Sequence, residues 1–96
     1  MVDPLIPDEI NDTVDNFAAD MKLKLVANMH KGGWADSHLS FLMSRLLQET
    51  GELVEAMMSG DHNWTAAEAV DVANFAMMIH NKSKPPQDDR PHFCQG

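Results

Sequence analysis

The stretch that most limits what this chain can become runs from Leu46 to Asp71. It holds Glu49-Thr-Gly-Glu52, then fifteen residues, then Glu68-Ala-Val-Asp71. Carboxylates three apart on a helix occupy neighbouring positions of one face. At about 100° per residue, Glu49 falls inside the stripe of Leu42, Leu46 and Leu53, with Glu52 on its edge. On the second segment Asp71 falls between Phe75 and Met78, and Glu68 beside Phe75 and Ile79. All four acids therefore point to the apolar side, where an unpaired charge is strongly disfavoured. Carboxylates converging there repel one another unless they are protonated or bridged by cations. Hard divalent ions with all-oxygen ligands, Mg2+ or Mn2+, answer that requirement. Glu49, Glu52, Glu68 and Asp71 are thus the expected ligand set.

Around this stretch the hydrophobic pattern is helical. Asp8 and Glu9 suit the positive end of a helix dipole, and Ile10, Val14, Phe17, Met21 and Leu25 then recur at spacings of three and four. This predicts an amphipathic helix to about Met29, its stripe buried as core, preceded by a short leader of residues 1–7. Gly32 and Gly33 break the helix. Asp36 or Ser37 can cap a second helix that runs to about Met58 and ends at Ser59-Gly60-Asp61. Gly51 sits inside it at a cost of about 1 kcal/mol relative to alanine, as a close approach to the helix or a tolerant position. Glu55 extends the acidic row but is read as outside the ligand set. A third helix follows, through Ile79 and fraying near Asn81. Thr65-Ala-Ala-Glu68 has the form of a capping box, which would explain Glu68 without a metal but leaves Asp71 unexplained. From residue 83 on, prolines and polar residues preclude a fourth regular helix; Phe93 either anchors this tail to another subunit or belongs to a disordered end.

Composition narrows the functional classes. A chain of 96 residues makes one small domain, and with 44% hydrophobic residues a few helices leave apolar surface that self-association can cover. A net charge of −8 with no basic stripe argues against a nucleic acid polymer as partner. The single cysteine, Cys94, cannot close an intrachain disulfide, and no signal peptide or membrane span is evident; a cytoplasmic location is expected. Other metal chemistries fail on residue type. No glutamate has a histidine three residues on, as di-iron bundles require, and the five histidines lack zinc-like spacing. Asp61-His-Asn63-Trp-Thr65 begins like a calcium loop, but Ala66 and Val72 stand where glycine and glutamate belong.

The Glu-x-x-Glu…Glu-x-x-Asp arrangement resembles the all-α nucleoside triphosphate pyrophosphohydrolases, the MazG-like group. The resemblance runs from about Phe17 to Asn81 and includes Lys31-Gly-Gly-Trp34 and Asp71-Val-Ala-Asn-Phe-Ala-Met-Met-Ile79. It is most similar to the small stand-alone members often found in bacteriophages. The resemblance implies an all-α fold of three main helices per chain, with subunits pairing as homodimers or homotetramers into a MazG-like helical bundle. It implies hydrolysis of a nucleoside triphosphate to monophosphate and pyrophosphate, with the helix-borne carboxylates holding Mg2+ against the triphosphate.

Substrate contacts are sought among the remaining polar and aromatic residues. Trp34 offers either a stacking face for a base or a core anchor under the loop, and the resemblance favours the base. Asn28 is either a helix-end residue satisfied by nearby backbone or a contact to the base; residues near Ile10 to Val14 are further base contacts. Lys31 beside the paired glycines can reach a phosphate. His38 is read as a surface residue at a helix start. Many relatives carry a tyrosine four residues after the aspartate. This chain has none, and Phe75 stands there, so phosphate contacts fall to Lys31, Arg45 and Lys82, with Asn74 alongside. A flat tryptophan and nearby asparagines lean toward a purine, dGTP or GTP. The competing reading is a non-enzymatic helical module whose acidic face meets a basic partner protein; it leaves the inward-facing carboxylates unexplained.

Overall fold

A computed structural model of the protein describes residues 5–84. Three α-helices make up most of them: α1 (Asp8–Ala27), α2 (Leu39–Ser59) and α3 (His62–Ser83), with a short 3-10 turn, Met29–Lys31, after α1. No strand occurs among the described residues, so the architecture there is all-α. Residues 1–4 of the expected leader and the proline-rich tail from 85 on, with Phe93 and Cys94, lie outside the described residues. No helix among the described residues is long and apolar enough to cross a membrane.

The hairpin of α2 and α3 is the main packing unit. Gly60 turns the chain between them with φ 77° and ψ 6°, a left-handed conformation that costs a glycine little because it has no Cβ to clash. Its N–H donates to the Met57 carbonyl. Asp61 then caps α3, its carboxylate accepting from the Trp64 N–H at 2.9 Å, while Thr65 Oγ1 donates to the Asp61 carbonyl at 2.8 Å. The expected capping box is therefore not used: the helix starts at His62, three residues before Thr65, and Glu68 lies well inside it. At the other end of the loop, α2 is capped by neither Asp36 nor Ser37. His38 takes the N-cap position without a side-chain bond, because Ser37 is engaged in a turn, its N–H donating to the Trp34 carbonyl.

The turn at Gly60 also explains the spacing of the acids. Glu49 and Asp71 each stand eleven residues from it, and Glu52 and Glu68 each eight. In an antiparallel hairpin with equal rise on both arms, each pair is brought level across the interface.

Leu42, Ala56 and Val70 are the buried apolar residues among those described. α1 packs on α3 and makes no comparable contact with α2, so the bundle is open on that side. Only the second half of the α1 stripe is covered. Met21 and Leu25 are half-buried, whereas Ile10 and Val14 are more than half exposed. The stripe is thus core along its second half, and its first half belongs to the apolar surface expected to be left uncovered. On α2, Met43, Leu47, Val54 and Met58 form a second exposed apolar stripe, and Gly51 lies within it. Apart from its own helix backbone, nothing among the described residues comes within 4 Å of where a Cβ on Gly51 would stand, so no part of the described chain explains that glycine.

α3 runs past the expected fraying point because its last turns are tied to the loop. Trp34 Nε1 donates to Asn81 Oδ1 at 3.1 Å, and Lys82 Nζ donates to the Ala35 carbonyl at 2.7 Å. Lys82 is thereby occupied as a loop tether rather than standing as a cation for phosphate.

Because the hairpin turn rests on one left-handed glycine and one cap, Asp61→Ala should cost about 1 kcal/mol of stability. Gly60→Ala should cost about 1–2 kcal/mol. Urea unfolding followed by circular dichroism measures both. Asp61→Asn should stay close to wild type, and an unchanged midpoint for Asp61→Ala would contradict this account of the cap.

Candidate metal centre

The carboxylates of Glu49, Glu68 and Asp71 offer oxygens that all lie within 4.8 Å of one another. Each is delivered by the hairpin: Glu49 from the buried face of α2 next to Leu42, and Glu68 and Asp71 one turn apart on α3. Glu52 adjoins Glu49 on α2 but stands outside this tight group. Glu49 is the most secluded, with 6% of its surface exposed. One of its oxygens, Oε2, is buried without a hydrogen-bond partner, as is Oε2 of Glu68. A buried carboxylate oxygen left unpaired is costly, so the hairpin holds acceptor capacity that the chain itself does not satisfy.

Two cations lean on the cluster. Arg45, one turn before Glu49 on α2, places its guanidinium 3.0 Å from Glu49 Oε1, also donates to Gln48, and stacks over the Phe75 ring at 5.2 Å. Lys24, from the last turn of α1, reaches across to Asp71 Oδ1 at 3.3 Å. Despite Arg45, the Glu49 carboxyl is pushed up from 4.5 to about 7. Burial is the largest cause, followed by the adjoining carboxyl groups of Glu52 and Glu68 and the negative charge of Glu52 and Asp71. One partly exposed guanidinium on one oxygen does not offset burial and three neighbouring acids.

Because α1 and α2 do not meet, an open cleft of about 800 Å3 lies between them with α3 as its floor. Glu49 and Asp71 line it, and so do Asn28, Lys31, Trp34, Arg45 and Asn74. Ile10 and Val14 do not. Glu52 and Glu68 also fall outside its lining. Asn28 Nδ2 donates to the Lys24 carbonyl at 3.1 Å, so its amide serves the end of α1 as well as the cleft wall. Asn74 is buried, 4% exposed; its Nδ2 donates to the Met21 carbonyl at 3.3 Å and its Oδ1 has no partner. Trp34 is half-buried and is fixed at its indole nitrogen by Asn81 while lining the cleft. Phe75, which stands at the tyrosine position, lines it too, as do Lys24 and Phe41, which were not singled out from the sequence. Lys24 lies on the same helix as Asn28, one turn earlier, a proximity that would have brought it forward.

The donor set fits a hard divalent cation. It consists of carboxylate oxygens alone, two of them buried and unpartnered, on two packed helices that hold them in register. Imidazole and thiolate are absent from this group of described residues, so the set does not favour zinc or copper.

A carboxyl with a raised pKa binds its proton more tightly in the folded chain than in the unfolded one. Stability of the metal-free protein should therefore fall as pH rises from 4.5 toward 7, then level off, with Glu49 accounting for at most about 3 kcal/mol. Urea unfolding in chelator at pH 5 and pH 8 tests this. Glu49→Gln should lose most of that slope and exceed wild type at pH 8; a variant that keeps the full slope would assign it to another group.

Compared with known proteins, the chain matches no family model, no curated protein and no solved structure.

Proposed function

We propose that the cleft binds a nucleoside triphosphate with Mg2+, for which Mn2+ can substitute, and that the protein hydrolyses it to monophosphate and pyrophosphate. The observation that carries this reading is convergence. Asn28, Lys31, Trp34, Arg45 and Asn74, read from sequence as nucleotide contacts, line the same cleft as the buried Glu49 and its neighbour Asp71. The volume is within the range of small-molecule sites, roughly 300–1,000 Å3. Glu49, Glu52, Glu68 and Asp71 would hold the metal, which when bound neutralises phosphate charge and lowers the pKa of water.

The chain's own residues do the rest. Trp34 presents a ring to stack on the base, held in place through Asn81. Asn74 Oδ1 is a buried acceptor in want of a donor, which a base with ring or exocyclic N–H groups supplies; a purine such as that of dGTP or GTP fits this and the large aromatic. Lys31 and Arg45 face the phosphates. Water attacks the α-phosphorus, the bond from that phosphorus to the bridging oxygen breaks, pyrophosphate leaves, and one of the four carboxylates takes the proton. No Walker-type loop is present to cradle the β- and γ-phosphates for γ-transfer.

The second part of the proposal is assembly. The exposed stripe of Met43, Leu47, Val54 and Met58 on α2, with Gly51 open at its middle, suits a helix of a second copy crossing closely there. A homodimer or homotetramer in a helical bundle of the MazG-like kind covers this face and that of Ile10, Val14 and Phe17. Light scattering at micromolar concentration should give a multiple of 10.7 kDa, and Leu47→Glu should reduce it toward a single chain. A wild-type particle of 10.7 kDa would refute the assembly.

Two measurements test the chemistry. Glu49→Gln, Glu52→Gln and Asp71→Asn should each lower turnover by roughly 100-fold or more, beyond what loss of an outer contact to a metal site costs. Their helical signal should persist. Hydrolysis in 18O-water should place the label in the nucleoside monophosphate; label in orthophosphate, with the diphosphate accumulating, would sink the pyrophosphohydrolase reading even with the metal site intact.

A further inference from the structure

The two cations against the carboxylates are held very differently. Arg45 has three side-chain partners on α2 and α3, namely Glu49, Gln48 and the Phe75 ring. Lys24 belongs to α1, its side chain is 42% exposed, and its ammonium has one side-chain partner among the described residues, Asp71. An ion pair this open is weak, so its partners exchange readily.

We propose that Lys24 is a phosphate-binding residue of the cleft, which Asp71 holds as a placeholder cation until a divalent ion takes the carboxylate. The inference rests on the metal-dependent reading above and adds to it a contact that the sequence did not single out. A cation at Asp71 competes for the oxygen that Lys24 now occupies and repels the ammonium. A phosphate bound with that ion would come near Asp71, and Lys24 lines the same cleft on a flexible four-carbon side chain. Lysine suits the role, because it meets phosphate as a flexible point charge. Lys31, on the turn after α1, lines the same cleft, so the end of α1 brings two lysines to its rim. Arg45, held by three partners, has less freedom to exchange.

The test is binding, with opposite signs for the two ligands. Mn2+ titrated into the full chain and followed by electron paramagnetic resonance should bind Lys24→Met about threefold or more tightly than wild type, since a competing cation is gone. Inorganic pyrophosphate titrated by calorimetry in saturating Mg2+ should bind the same variant at least about tenfold more weakly. Lys24→Gln is the second neutral variant should Lys24→Met fail to fold, and Lys24→Arg should restore both affinities. A purely structural strut would instead weaken both ligands together and lower the melting temperature. That result, or wild-type pyrophosphate affinity in the neutral variants, overturns the proposal while leaving the metal centre standing. A wild-type chain that binds no Mn2+ overturns both.

Discussion

Carboxylate crowding across the α2–α3 hairpin is the constraint on which the rest of the described structure depends. Two unit charges about 4 Å apart interact by about 4 kcal/mol at an effective dielectric of 20, so acids this close are a standing cost to the metal-free fold. The chain offsets part of it with Arg45 and Lys24 and part by raising the Glu49 pKa, but it leaves buried oxygens of Glu49 and Glu68 without partners. A fold selected for stability alone would place leucine or alanine there. The hairpin instead spends buried positions on acceptors, and its tight turn at Gly60 keeps them level.

The position of α1 sets how that cluster meets solvent. By packing on α3 and standing away from α2, α1 leaves a cleft whose floor carries Asp71 and Asn74 and whose α2 wall carries Glu49 and Arg45. The loop after α1 closes one end, held by Trp34 to Asn81 and by Lys82 to the Ala35 carbonyl. Through these tethers the same contacts that lengthen α3 also orient the aromatic face at the cleft rim. The polar groups thus have both an anchored frame and room for a ligand between the helices.

The openness has a thermodynamic counterpart. Leu42, Ala56 and Val70 are few buried apolar residues for a chain of this length, while large side chains on α1 and α2 lie exposed. On α2 the exposed stripe of Met43, Leu47, Val54 and Met58 lies on the side of the helix opposite Leu42, Glu49 and Ala56, so the α2–α3 hairpin leaves it uncovered. Gly51 lies within that stripe.

Periodicity alone determined that the chain is helical, where its breaks fall to within a few residues, and that Glu49 and Asp71 face inward, because a 3.6-residue repeat converts spacing directly into a face. Residue type and the resemblance, not periodicity, pointed to Asn28, Lys31, Trp34, Arg45 and Asn74, and all of them line the cleft. The sequence did not determine which cap would win at each helix start, since Asp61 and Thr65 are both competent and only the turn geometry chooses between them. Nor could it assign Lys24 or Lys82. Which carboxylate or carbonyl a long cation reaches depends on how two helices cross, and that crossing is tertiary information. How far the α1 stripe is buried was open for the same reason. Amphipathic spacing shows that a face seeks cover, whereas how α1 is laid across α3, away from α2, decides how much of that face the chain itself buries.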